Sequence, residues 1–305
     1  MEPIRIGTRG SKLALAQAEE TKRRLMAAHG LPEEAVELVI IKTTGDAVRD
    51  RPLADIGGKG LFTKEIEEAL LKGRIDLAVH SMKDVPAELP AGLAIVCHLP
   101  REDARDAFIS LKYAGIDELP AGATVGTSSV RRAAQLLRRR NDVRIVPFRG
   151  NVDTRLQKLA DGVAEATFLA CAGLRRLGLA ERITQAVPVG VMLPAVAQGA
   201  IGIETREDDA RTRALLAPLN DADTAVRVAA ERGFLERLEG SCRTPLAAHA
   251  VIADDGSLHL VAEALTLDGA QCWRVERRGA AEEAHALGAD AAEEVLAAAG
   301  DALVR

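Results

Sequence analysis

The segment Val79-His80-Ser81-Met82-Lys83-Asp84-Val85-Pro86 brings an imidazole, a hydroxyl, an ammonium and a carboxylate together within a few residues. An apolar run from Ile75 to Val79 stops there, and Pro86 prevents its continuation. Leu77, Ala78 and Val79 read as a short strand buried on both faces, so the polar residues after it emerge at a sheet edge. Ligands of open α/β sheets bind beyond the carboxyl ends of the strands. Asp84, flanked by His80, Ser81 and Lys83, is therefore a candidate reaction centre. A strand exit whose polar residues simply face water is the competing reading.

Three strand-to-helix junctions share one design. They are Gly7-Thr8-Arg9-Gly10-Ser11-Lys12, Thr127-Ser128-Ser129-Val130-Arg131-Arg132, and Phe148-Arg149-Gly150-Asn151-Val152-Asp153-Thr154-Arg155. Each offers backbone N–H groups at a helix N-terminus, small or hydroxylated residues, and at least one arginine. Ser11 is placed to cap the first helix. Gathered on one edge of two sheets, such junctions would line a cleft with guanidinium groups, suited to a ligand bearing several carboxylates or phosphates. Gly57-Gly58-Lys59-Gly60-Leu61-Phe62 lacks the phosphate-loop spacing, and Leu61 sits where a magnesium-binding hydroxyl would follow. It reads as a glycine loop over the cleft with Lys59 as an anion contact, or as a plain surface loop.

The elements that must position these groups alternate strand and helix up to about residue 205. Strands are expected at 4–6, 37–42, 75–80 and 93–98, then at 107–110, 124–126, 143–147 and 167–170. Helices are expected at 13–26, 63–71, 130–140 and 152–159. This order predicts an α/β fold with mainly parallel sheets. Pro100-Arg101-Glu102-Asp103 marks a boundary, and Leu193 to Gly199 a second crossover that returns the chain to the first domain. After Pro218 a helix (222–238), three strand-like runs within 246–277 and a helix (283–299) form an α+β unit. The expected domains are 1–99 with 200–217, 100–199, and 218–305.

With 305 residues, 48% hydrophobic and 28% charged, the composition is that of a soluble globular chain. No apolar run reaches the ~18 residues of a membrane span. The first residues enter a strand directly without a secretion signal, so a cytoplasmic location is expected. A net charge of −5 argues against general nucleic-acid binding. Arginines outnumber lysines 31 to 9, which a GC-rich genome would also produce.

The cysteines Cys97, Cys171, Cys242 and Cys272 contain no C-x-x-C pair, so neither structural zinc nor disulfides are expected. Three lie in or next to strands and read as packing residues. Cys242 sits instead in the tight loop Glu239-Gly240-Ser241-Cys242-Arg243-Thr244-Pro245, where the adjacent arginine favours the thiolate. An attachment point or a nucleophile fits it; a cysteine protease does not, for want of a His–Asn or His–Asp pair.

Taken in order, these segments resemble the porphobilinogen deaminase (hydroxymethylbilane synthase) family. The resemblance rests on Gly7-Thr8-Arg9 with Ser11, Gly57 to Phe62, Val79 to Pro86, Gly126 to Arg132, Arg149 to Val152 with Thr154-Arg155-Leu156, and Ala172-Gly173-Leu174. Leu193-Pro194-Ala195 with Gln198-Gly199, and Leu238-Glu239-Gly240 with Cys242, complete it. It implies two α/β domains like those of type II periplasmic binding proteins around a cleft, plus a small α+β domain bearing the cofactor. It further implies a transferase that joins four porphobilinogen units head to tail into hydroxymethylbilane, releasing four ammonia, in tetrapyrrole biosynthesis.

By the same resemblance, a dipyrromethane cofactor is held by a thioether to Cys242, and Asp84 is catalytic. Lys83, Asp84, Ser81, Thr127, Ser129, Arg131 and Arg132 would bind the cofactor. Arg9, Ser11, Arg149, Arg155, Gln198, Lys59 and Phe62 would bind substrate. The residue types suit that chemistry. Each unit adds an acetate and a propionate, which arginine pairs bidentately and without losing its charge. A buried Asp84 would steady the cationic azafulvene left by ammonia loss. The implied partners are porphobilinogen and the growing polypyrrole chain, with no metal, nucleic acid or membrane, and a monomer is implied.

Departures are few: Ala197 stands where glycine is usual in L-P-A-V-G-Q-G, which would stiffen the crossover. Ser241 replaces a commoner glycine, and Arg243-Thr244 what is often Gln-Val. A non-enzymatic periplasmic-type binding protein would explain the paired domains but not Asp84, Cys242 or the third domain. A transcription-regulator effector domain lacks support, since no helix-turn-helix segment is present.

Overall fold

A computed structural model of the chain describes residues 3–47, 60–238 and 244–303. Gly57, Gly58 and Lys59 of the glycine loop, and Ser241, Cys242 and Arg243, lie outside the described residues. The strands run in chain order β1 (Ile4–Thr8), β2 (Val36–Ile40), β3 (Leu77–Ser81) and β4 (Leu93–His98). Next come β5 (Asp106–Ser110), β6 (Thr124–Gly126), β7 (Arg144–Val146), β8 (Ala166–Ala170) and β9 (Gln185–Ala186). They end with β10 (Ile201–Arg206), β11 (Leu246–Ile252), β12 (Leu258–Leu265) and β13 (Cys272–Gly279).

By their contacts, Met1–Glu102 and Ala200–Ala225 form one compact unit, and Asp103–Gly199 with Val226–Arg305 a second. Chain from residue 226 onward thus packs with 103–199, where the sequence reading set 218–305 apart. The first unit holds a five-stranded sheet of order β2-β1-β3-β10-β4, the second one of order β7-β6-β8-β5-β9. An antiparallel sheet, β11-β12-β13, completes the second unit.

The expectation of mainly parallel sheets needs correction. β10 runs antiparallel to both β3 and β4, and β5 antiparallel to both β8 and β9. The remaining pairs, β1–β2, β1–β3, β6–β7 and β6–β8, are parallel. Each opposed strand borders a unit boundary: β5 follows the first and β10 the second. A strand entered from a crossover need not obey the direction that strand–helix–strand connections impose.

Local sequence explains the elements near the candidate groups. In β3, Leu77 and Val79 pack with Ile6, Leu25, Cys97 and Ile203, whereas Ala78 packs with Ile66, Leu70 and Ile75. Both faces are therefore covered, as the continuous apolar run requires. The helix Lys12–His29 starts at Ser11, whose side chain accepts from Ala14 N–H, and ends at Gly30 in the left-handed region (φ 60°). A Cβ on Gly126 would lie 2.4 Å from the Phe148 ring, so glycine lets the exits of β6 and β7 close on one another. Ser128 Oγ accepts from Phe148 N–H at 2.9 Å across the same contact.

Missed by the sequence reading were β9, only two residues long, and the helices Cys171–Arg176 and Ala210–Leu216. Cys171–Arg176 leaves β8 without any side-chain cap, so no start signal marks it.

Ala197 adopts φ 57°, the left-handed conformation that glycine takes freely and a Cβ resists. Its N–H donates to Glu231 Oε2 at 2.6 Å, and the other oxygen of that buried carboxylate accepts from Ala250 N–H at 2.8 Å.

Candidate active site

In the first unit, the loops after β1 and β3 meet at one sheet edge. Arg9, Ser11, Gln17, Phe62, Thr63, His80, Ser81 and Asp84 line a pocket there. The short 3-10 turn Met82–Asp84 buries Met82 as its anchor and turns Lys83 and Asp84 outward. Arg9 Nη1 stands 4.0 Å from Asp84 Oδ2, a loose ion pair, and its guanidinium lies over the Phe62 ring at 4.1 Å. Stacking fixes the arginine plane without consuming its hydrogen-bond donors. Asp84 is 37% exposed in its side chain rather than buried, because the proline-stopped turn projects it from the sheet. Ser81 Oγ accepts from Gln17 Nε2 at 2.8 Å and lies 3.1 Å from Gln17 Oε1, to which it donates.

In the second unit, the corresponding edge gathers the charged residues more tightly. Ser129 caps the helix Val130–Arg139 by accepting from Arg132 N–H, and its own N–H donates to Thr127 Oγ1. Arg131 and Arg132 are only 6% exposed, and both grip Asp106, which has no exposed side-chain surface. Arg131 Nη1 and Nη2 donate to Asp106 at 2.7 and 3.2 Å, and Arg132 Nη2 and Nε at 2.7 and 2.9 Å. Backbone carbonyls take further donors: Leu193 O from Arg131 and Phe168 O from Arg132. Burial works against the Asp106 charge, yet the two guanidiniums hold its carboxyl well below the usual carboxylate range.

Two cations against one anion leave a buried excess of positive charge. Glu263, another buried acid, also acts on Arg131, and burial pushes its carboxyl up despite Arg274, Arg131 and Arg138. A second deficit lies nearby in sequence: Arg149, just beyond β7, has its Nη1 buried with no hydrogen-bond partner. Excess charge and an orphaned guanidinium nitrogen both suit a polycarboxylated group, so the residues present fit a carboxylate-bearing cofactor or substrate. Arg155 donates through Nε to Gly150 O at 2.9 Å.

Gln198, expected to bind substrate, lies beside the Asp106 cluster. It is 1% exposed, and its amide donates to Ala104 O at 2.8 Å and Asp106 Oδ1 at 3.1 Å, so it supports the buried carboxylate. Sequence reasoning missed Asp106 and Gln17. Each left a trace: an acid opening the apolar run Ala107-Phe108-Ile109, and a glutamine on the buried face of a helix with Ala14, Ala18 and Leu25.

Cys97 and Cys171 are buried, and desolvation pushes their thiols up to about 12 and about 11. They are inert packing residues. Among the described residues, no group of three or more His, Cys, Asp or Glu could hold a metal ion.

A family model described as "Porphobilinogen deaminase, dipyromethane cofactor binding domain" matches residues 4–214, well over half of the chain. The chain belongs to the porphobilinogen deaminase family. A second model, "Porphobilinogen deaminase, C-terminal domain", matches residues 225–297. Porphobilinogen deaminase of Paracoccus denitrificans (strain Pd 1222) is 61% identical over 293 residues, covering 96% of this chain and 93% of that one. The chloroplastic porphobilinogen deaminase of Oryza sativa subsp. japonica is 57% identical, covering 90% and 78% respectively. Among solved structures the chain is similar to the methionine-binding protein MetQ, with a TM-score of 0.46, 17% identity, and coverage of 75% and 94%. Membership of the deaminase family favours the transferase reading over a non-enzymatic binding protein.

Proposed function

We propose that this chain joins four porphobilinogen units head to tail into hydroxymethylbilane, releasing four ammonia, in tetrapyrrole biosynthesis. The observation that carries this reading is the ordered match of both deaminase domain models along one chain. A bound dipyrromethane, attached through a thioether to Cys242, supplies the pyrrole carbon from which the product grows.

The chain's own residues do the rest. We assign Arg131, Arg132, Arg149 and Arg155 to the carboxylates of cofactor and substrate, with Thr127 and Ser129 orienting them. The excess charge of the Arg131–Asp106–Arg132 cluster supports this assignment, because a permanently charged fork in a dry site attracts an anion without any cost of protonation. Arg9, Ser11, Lys59, Lys83, Ser81 and Phe62 are assigned to the binding of substrate and cofactor near Asp84, and Gln198 to support of the arginine cluster. Asp84 steadies the positive charge that forms when the carbon–nitrogen bond breaks and its electron pair leaves with nitrogen. Its loose pairing with Arg9 keeps that carboxylate available.

No described helix is long and apolar enough to cross a membrane, and the net charge is −5. We infer a cytoplasmic monomer acting on small molecules without nucleic acid or membrane, as the family resemblance implies; the acidic net charge supports the absence of general nucleic-acid binding.

Intact-protein mass spectrometry tests the reading. Protein from cells that make porphobilinogen should carry two pyrrole units, retained in denaturant and mapping to Cys242; an unmodified mass overturns it. Arg149→Ala should raise KM about 10- to 100-fold, the worth of a charge-assisted hydrogen bond. Its melting temperature should hold, since the buried Nη1 has no partner to lose. A folding defect with unchanged KM would make this arginine structural.

A further inference from the structure

Behind the Asp84 pocket lies a set of ionisable groups that the assignment above leaves unused. His80 of β3 borders the pocket, and its Nε2 sits 2.9 Å from Glu204 Oε2 of β10. The pair is 4% and 1% exposed, so water scarcely screens it. Glu67, on the helix Lys64–Leu71, is also buried and acts on both. Glu204 Oε1 and Glu67 Oε1 are buried without a hydrogen-bond partner. Burial pushes the Glu67 carboxyl up, with Glu204 and Glu65 adding to the rise against Thr63 and His80. Glu204 is the carboxylate that meets the imidazole directly.

Other titratable groups lie near the ring. Asp84 and Arg9 share the pocket, and His98 of β4 stands in register with His80 across Gly202. A carboxylate fixed behind an imidazole sets the ring's orientation and favours its protonated form. Of the two residues, His80 is the one that lines the pocket.

This inference rests on the deaminase reading. In that reaction each coupling sheds one proton: the terminal pyrrole of the growing chain forms a carbon–carbon bond with the electron-poor methylene, and its C–H bond then breaks. That bonding pair restores the aromatic ring, and the proton must go to a base. Asp84 is poorly suited, since it must stay anionic beside the cation it steadies. We propose that His80 takes up this proton, directly or through one water, with Glu204 as its positioning residue. The imidazolium then returns the proton to solvent, where the departed ammonia collects it, so charge and atoms balance over each cycle.

The experiment uses the cofactor-loaded enzyme, with ammonia release from porphobilinogen followed against pH. Nuclear magnetic resonance titration of the histidine rings runs in parallel, His80 being assigned by its loss in His80→Asn. A base must be neutral to accept, so turnover should fall as pH drops through the titration of His80. Glu204→Gln should move that acid limb and the His80 titration to lower pH together, and lower the plateau about tenfold. His80→Asn should lower the plateau about 100-fold and abolish the limb. An acid limb unchanged in either variant, whatever the loss of rate, overturns the proposal. So does a His80 titration that moves in Glu204→Gln while the limb stays. If His80→Asn does not fold, the Glu204→Gln comparison decides. Wild-type enzyme that releases no ammonia overturns the deaminase reading itself, and this role with it, before any variant is made.

Discussion

Asp84→Asn should fold normally and lose about a thousandfold in turnover, the scale on which removal of one pre-aimed electrostatic group acts. Asparagine keeps the shape of the side chain and removes its charge. Little stability depends on that charge: the side chain is 37% exposed and its ion pair with Arg9 spans 4.0 Å. An ion pair so open to solvent contributes ~0–1 kcal/mol. Turnover depends on it because the neutral amide cannot offset the cation created when ammonia leaves. Steady-state ammonia release together with the thermal midpoint checks both halves. Near-normal turnover would remove Asp84 from the mechanism.

The second large effect falls on stability. Asp106→Asn should destabilise the second unit by about 3–5 kcal/mol, the penalty of leaving buried charge uncompensated. Two guanidiniums, each 6% exposed, would then share a site without an anion. The pH dependence has a definite sign. Because the folded carboxyl is held below its ordinary range, its stabilisation is complete above about pH 4 and drains away only in stronger acid. Urea unfolding at neutral pH should show the full loss. In strong acid, where the wild-type carboxyl also begins to protonate, the two proteins should converge. Equal stability at neutral pH would show that Asp106 does not compensate the two arginines.

Much of this was legible in the residues. Ser11 was readable as a cap and caps its helix in the structure, and the helices expected from 130 and 152 start there, capped by Ser129 and Asn151. The strand Leu77-Ala78-Val79 was readable because neither face carries a polar side chain. Strand direction was not readable: nothing in the residues of β5 or β10 marks them as running against their neighbours, and each follows a connection across the unit boundary. Nor was the common strand order of the two sheets, since it resides in backbone pairing and needs no repeated residues. Arg131 and Arg132 were legible as anion partners, but the anion supplied by the chain itself, Asp106, was not. Its separation from them by more than twenty positions hides the contact.

Ala197 sets an order of events during synthesis. Its left-handed backbone costs roughly 1–2 kcal/mol, which a glycine would spare. The carboxylate that grips its N–H, Glu231, leaves the ribosome later, and the strand that shares that carboxylate through Ala250 later still. The bend at residue 197 therefore lacks the Glu231 hydrogen bond while the nascent chain ends short of residue 231, and gains it only once downstream chain has folded back onto it.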